Sequence, residues 1–187
     1  LTLRGMRQPA LGEAVYTLGY PNLEVQTSLN ANLLLGLGAD ESIAFAQRQR
    51  LGDLLVAGDV QGLRALFHAF FATIPHAWYR NSPIAQYEGY WASVFYSYFA
   101  ALRVNVVVED TTNRGRIDMA VRFGGQTWLF EFKVVELVPE GRALQQLLDK
   151  GYADKYRADG PVHLIGVEFS KDSRNIVGFE TLTLPKI

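Results

Sequence analysis

Two glycines, Gly124 and Gly125, separate two runs rich in β-branched and aromatic residues, 116–123 and 126–135. Glycine reaches positive φ without strain, and a two-residue hairpin loop needs such backbone. A hairpin here fixes more than two strands. Cross-strand partners then carry residue numbers that add to 249, as Phe123 and Gln126 do. Asp118 is expected directly opposite Glu131, on one face of the sheet. Lys133, two residues beyond Glu131, points the same way, with Arg116 as its expected cross-strand neighbour.

The surrounding pattern sets this hairpin in an α/β layer architecture. Tyr87, Tyr90, Trp91, Val94, Phe95, Tyr98, Phe99 and Leu102 form a wide apolar stripe at helical spacing. Residues 104–109 read as a strand and 110–114 as a polar connection. Residues 141–158 read as a helix with Ala143, Leu144, Leu147, Leu148 and Tyr152 on one side. Residues 162–169 read as a buried strand and 174–184 as an edge strand.

Upstream, residues 14–19 read as a strand closed by Tyr20-Pro21-Asn22 after a short extended start, and the rest to about Asn81 as mostly helical. Asp59 is placed to cap a helix carrying Val60, Leu63, Leu66, Phe67, Phe70, Phe71 and Ile74, which Pro75 stops. The expected division is a mostly helical extension over 1–81 and an α/β domain over 82–187.

Composition narrows the functional classes. Hydrophobic residues make up 49% of the 187, enough to bury a core. The absence of cysteine excludes disulfides, thiolate metal sites and thiol nucleophiles, and suits a cytoplasmic setting. No apolar run reaches the roughly 18 residues of a membrane span. A net charge of −1 counts against tight nonspecific binding of nucleic acid, unless metal ions supply positive charge where phosphates sit. His68, His76 and His163 form no metal-spaced pair and read as surface or core residues.

Two opposed carboxylates repel, and a divalent cation between them removes that cost. Mg²⁺ favours oxygen ligands, here Asp118 and Glu131, with the carbonyl of Phe132 as a third. A buried ion pair with Lys133 is the competing reading. Taken singly, a Glu-x-Lys pair is most often surface charge, Glu88 a helix N-terminal charge and Gln146 a solvent-facing helix residue. Trp78, Tyr79, Tyr87, Tyr90 and Trp91 could stack on bases, although aromatics at helical spacing are more often core.

The stretches Gly115-Arg116-Ile117-Asp118 and Leu129-Phe130-Glu131-Phe132-Lys133 resemble the paired motif of the PD-(D/E)XK nuclease superfamily. Tyr87-Glu88-Gly89-Tyr90-Trp91 resembles its first-helix motif. Ala143-Leu144-Gln145-Gln146-Leu147, followed by residues 150–156, resembles the second-helix motif. Within the superfamily the chain is most similar to a bacterial subfamily with an ATPase-like N-terminal domain, and residues 16–25 look like the segment joining the two domains. No Gly-x-x-x-x-Gly-Lys-Ser/Thr loop occurs, and Gly36-Leu37-Gly38-Ala39-Asp40 reads as an ordinary loop.

The resemblance implies a restriction-endonuclease-like core of helix, three-stranded antiparallel or mixed sheet, helix and strand. It implies a Mg²⁺- or Mn²⁺-dependent nuclease acting on nucleic acid, DNA ahead of RNA. Asp118 and Glu131 would bind the metal, with Glu88 direct or through water. Lys133 would orient the attacking water, Gln146 would position substrate or water, and Arg116 and Tyr152 would contact substrate. A homodimer suits a double-strand cutter. The alternative is an inactive nuclease-fold module that binds nucleic acid or protein.

Overall fold

The computed structural model describes residues 2–8, 14–22, 24–25, 28–29, 32, 41–73, 87–102 and 104–187. The loop at 36–40, Ile74, Pro75, His76, Trp78, Tyr79 and the expected boundary at 81/82 lie outside these residues. A two-stranded antiparallel sheet, β1 (Thr2–Arg7) and β2 (Val15–Gly19), comes first. Helices α1 (Glu41–Ala57), α2 (Val60–Thr73) and α3 (Glu88–Ala101) follow. Then come strands β3 (Asn105–Thr112), β4 (Gly115–Phe123) and β5 (Gln126–Val135), helix α4 (Arg142–Asp149), a 3-10 turn (Tyr152–Lys155), and strands β6 (Val162–Ser170) and β7 (Ile176–Leu184).

The last five strands form one sheet in the order β3-β4-β5-β6-β7. Strands β3, β4 and β5 run antiparallel in turn, β6 is parallel to β5, and β7 returns antiparallel at the edge. The glycine hairpin forms as its residues require: Gly124 and Gly125 have φ of 58° and 74°, and Phe123 pairs with Gln126. Strand β6 is buried along its whole length because both faces are covered.

One face packs against α1, α2 and α3. Leu51, Leu55, Phe67, Trp91 and Phe95 join Trp128, Phe130, Phe132, Val167 and Phe169 in a single hydrophobic cluster. Trp91 stacks on Phe169 with ring centroids 4.5 Å apart. The helices at 41–73 therefore share a core with the sheet, and Asp59 Oδ1 caps α2 by accepting the Gly62 amide at 2.9 Å. The other face packs Ala120, Leu129 and Leu164 against Leu147, Tyr152 and Tyr156.

Two expectations change. Residues 110–112 belong to β3 rather than to a connection, held there by Lys155 Nζ, which donates to Asp110 Oδ1 at 2.7 Å and to the Thr111 carbonyl at 3.0 Å. The helix expected over 141–158 ends at Asp149, because Gly151 turns left-handed at φ 55° and only a 3-10 turn follows. With the helix that short, Leu148 is 41% exposed while Ala143 and Leu147 are buried.

Phe67 of α2 stacks on Phe95 of α3 at 3.9 Å, so removing it opens a cavity in the shared core. Phe67→Ala should cost about 3–5 kcal/mol. In urea, far- and near-ultraviolet circular dichroism should shift together. A sheet transition left in place would show that the helical layer unfolds separately.

Candidate active site

The site lies where β4 and β5 part. Their ladder runs from Phe123–Gln126 to Met119–Phe130 and stops. The register is the expected one, but Asp118 and Glu131 do not form the next pair. Instead the Phe132 amide donates to Asp118 Oδ2 at 2.9 Å, so a side chain replaces the backbone acceptor that β4 no longer provides. Lys133 likewise has no neighbour in Arg116. Beyond the fork Arg116 pairs with Thr111 of β3, and its exposed guanidinium meets Glu109 at 3.2 Å.

Side-chain alternation in β4 breaks at the same point. Met119 and Val121 pack under α3, yet Ile117, two residues before Met119, packs in the cluster under α4. In β3, Val108–Met119 and Asp110–Ile117 pair while Glu109 and Asp118 between them do not. Glu109 sits at φ 52°, a left-handed backbone that costs a non-glycine residue energy.

The fork gathers five of the expected residues. Lys133 Nζ lies 3.1 Å from Glu131 Oε1 and 3.6 Å from Glu88 Oε2, the first residue of α3. Gln146 Nε2, from α4, also donates to Glu131 Oε1. The Glu131 side chain is 1% exposed, and its other oxygen, Oε2, is buried with no partner among the described residues. Burial, with the Asp118 charge second, pushes the Glu131 carboxyl up to about 7, against the pull of Lys133. Burial also raises Asp118, opposed by the Phe132 amide and by Lys133. Burial pulls Lys133 down, but Glu131, Glu88 and Asp118 together outweigh it and raise it, so the ammonium is charged at neutral pH.

Tyr152, expected to contact substrate, is buried and donates its hydroxyl to the Arg116 carbonyl at 3.0 Å. That is the position of a strut under β4. His163 is core, bonded to Thr183 and Gln126 and stacked on Trp128, whereas His68 is exposed.

Three contributors were not foreseen. One is the strained Glu109. Another is Gly166, level with Glu131 in the parallel ladder, where an added Cβ would stand 2.2 Å from the Leu144 backbone nitrogen. Only glycine lets α4 sit close enough for Gln146 to reach Glu131. The third is Glu168, level with Lys133 and buried. Its carboxylate accepts the amides of Glu140, Gly141, Arg142 and Ala143 at 2.5–3.3 Å, satisfying the free N–H groups that open α4. A carboxylate in an otherwise apolar strand was the signal for it.

The donor set suits a hard divalent cation. Glu131 Oε2 is a desolvated carboxyl oxygen without a hydrogen-bond donor among the described residues, and a second carboxylate stands near enough to raise its pKa. Among the described residues no three His, Asp or Glu side chains gather for a closed cage. Two carboxylates with the rest of the shell left to carbonyl, water or phosphate oxygen is the pattern Mg²⁺ accepts. Clefts flank the cluster on both sides. One, of about 430 Å³, lies between α3 and β3–β4 and includes Glu88 and Asp118. The other, of about 410 Å³, runs along α4 and includes Lys133, Gln146, Arg142 and Lys150.

A family model described as the PD-(D/E)XK nuclease superfamily matches residues 86–179, which hold every member of this cluster. The chain belongs to the PD-(D/E)XK nuclease superfamily. A protein of Azotobacter chroococcum mcd 1, described as an uncharacterized protein in the vnfD 5' region, is 64% identical over 165 residues. The match covers 88% of this chain and 32% of that protein, so the chain spans about a third of the relative's length. No solved structure matches it. The five-stranded mixed sheet with its helices is compatible with a PD-(D/E)XK core, and no helix among the described residues is long and apolar enough to cross a membrane.

Two outcomes follow from the superfamily site as built. Glu168→Ala should lower stability by about 2–3 kcal/mol, since four amides lose a charged acceptor, and hydrogen exchange should quicken at residues 140–143. Glu131 titrates near 4.5 when unfolded and near 7 in the fold, so the folded state holds the extra proton between those values. Stability without metal should therefore fall as pH rises across that window. The urea midpoint should decline from pH 5 to 7.5 and decline less in Glu131→Gln.

Proposed function

We propose that this protein is a metal-dependent nuclease that hydrolyses phosphodiester bonds of nucleic acid, DNA in preference to RNA. The observation that carries the reading is the buried, unpartnered oxygen of Glu131 beside Asp118, with a charged lysine on its other oxygen. A buried carboxylate is protonated, paired or bound to a cation, and a second carboxylate beside this oxygen favours the cation.

In this reading Asp118 and Glu131 hold Mg²⁺ or Mn²⁺. When bound, the ion lowers the pKa of a water and stabilises charge on the phosphate. The chain's own groups do the rest. Gln146 and Lys133 engage Glu131 Oε1 and so leave Oε2 to face the site. Glu88 holds Lys133 from the other side, limiting the swing of its long side chain. Lys133 thereby presents a preorganised positive charge where the phosphate gains negative charge in the transition state. An ATPase-like domain as partner belongs to the same proposal.

Labelled single- and double-stranded DNA and RNA, incubated with Mg²⁺, Mn²⁺ or EDTA, test the proposal. The protein should cut in either metal and not in EDTA. Lys133→Ala should lower the rate by about 10²–10³-fold, the scale of losing one preorganised charge-stabilising group. Metal-raised thermal stability lost in Asp118→Asn, without cutting by any form, would instead favour an inactive module of the same fold.

A further inference from the structure

The cleft between α3 and β3–β4 meets the proposed metal site at Glu88 and Asp118, and the rest of its lining takes no part in the chemistry above. At about 430 Å³ it lies in the range of small-molecule sites. Its walls include Gly89, Ala92 and Tyr96 of α3 and Val108 and Met119 of the sheet. Val108 is 50% exposed, an apolar residue facing open space. The charged groups among its described lining are Glu88, Glu109 and Asp118, all negative. The groove on the α4 side is the reverse, with Lys133, Arg142 and Lys150 against Asp149.

These two surfaces sort the parts of a nucleic acid strand. Lys133, Arg142 and Lys150 draw a phosphate backbone to the α4 groove, whereas the α3 cleft beyond the metal position at Asp118 has no cation among its described lining. An uncharged planar base suits apolar walls and one aromatic ring, and carboxylates accept hydrogen bonds from exocyclic amino groups. The strain at Glu109 lies at the same place. Its left-handed backbone interrupts the β3–β4 ladder opposite Asp118 and opens the sheet along the cleft. Strain of this kind persists where function requires it.

We propose that the α3 cleft is a nucleobase pocket, and that the substrate is single-stranded or locally unpaired nucleic acid, with one base seated beside Asp118 and the adjoining phosphates along α4. A base inside a duplex is stacked and paired and cannot enter unless it is first extruded. The proposal rests on the nuclease reading for the role of the phosphates, but base binding is measurable without cutting.

Gly89 provides the variant. A Cβ there meets nothing within 4 Å, so the backbone at this lining position accepts a side chain, and Gly89→Leu narrows the cleft while adding a good helix former to α3. Single-stranded and fully paired duplex oligonucleotides carrying 2-aminopurine are titrated in EDTA, and cleavage of the same two is followed in Mn²⁺. The native protein should quench the single-stranded probe and cut it faster than the duplex. Gly89→Leu should lose the quench and reduce the single-strand preference by about tenfold, the scale of one stacked base. A quench without cutting would sink the nuclease reading and keep the pocket. Cutting that needs Lys133 but shows no quench and no preference, or a preference that Gly89→Leu leaves intact, would overturn the pocket and keep the nuclease. Neither quench nor cutting would overturn both.

Discussion

Burying a carboxylate is among the more expensive things a fold does, and Glu131 is buried almost completely. It stands in the middle of β5 with a side chain 1% exposed. One oxygen is satisfied by Lys133 and Gln146, brought from the same strand and from the helix across the face. The other is left bare beside a second carboxylate, and the proton affinity of the pair rises accordingly. The interior is stable in this state only if a proton or a cation completes it. In the proposed function, stability and chemistry therefore draw on the same atom.

Holding Glu131 in that state requires α4 to lie close, and two features of β6 arrange this. Gly166 removes the side chain that would hold the helix off, and Glu168 fastens its first turn through four amides. Parallel pairing sets these residues level with Glu131 and Lys133. On the opposite face the aromatic layer of α2 and α3 fixes the first residue of α3, Glu88, at Lys133. The two layers thus meet at one ammonium group.

The fork between β4 and β5 makes room for this cluster. A continued ladder would press Asp118 against Glu131 as a like-charged cross-strand pair, which is destabilising. Release of the strands, with Asp118 taking the Phe132 amide, avoids that while keeping both carboxylates at the site. The displaced alternation at Ile117 and the strained Glu109 are the accompanying distortions in β4 and β3.

Local sequence determined the hairpin, its register, the strand and helix order and the identity of the acidic pair, because glycine conformation, side-chain period and apolar spacing act over a few residues. Gly124 and Gly125 adopt the positive φ that the loop needs, and Trp91, Phe95 and Phe99 face the sheet as their spacing requires. Local pattern could not show that the ladder stops at Met119, that α4 ends at Asp149, or that Glu168 and Gly166 serve a helix about 20 residues earlier in the chain. Nor could it show that Arg116 turns to Glu109 while Lys133 reaches Glu131. Those outcomes depend on how close a helix comes to a strand and on which buried charges must be satisfied, and only the assembled layers decide that.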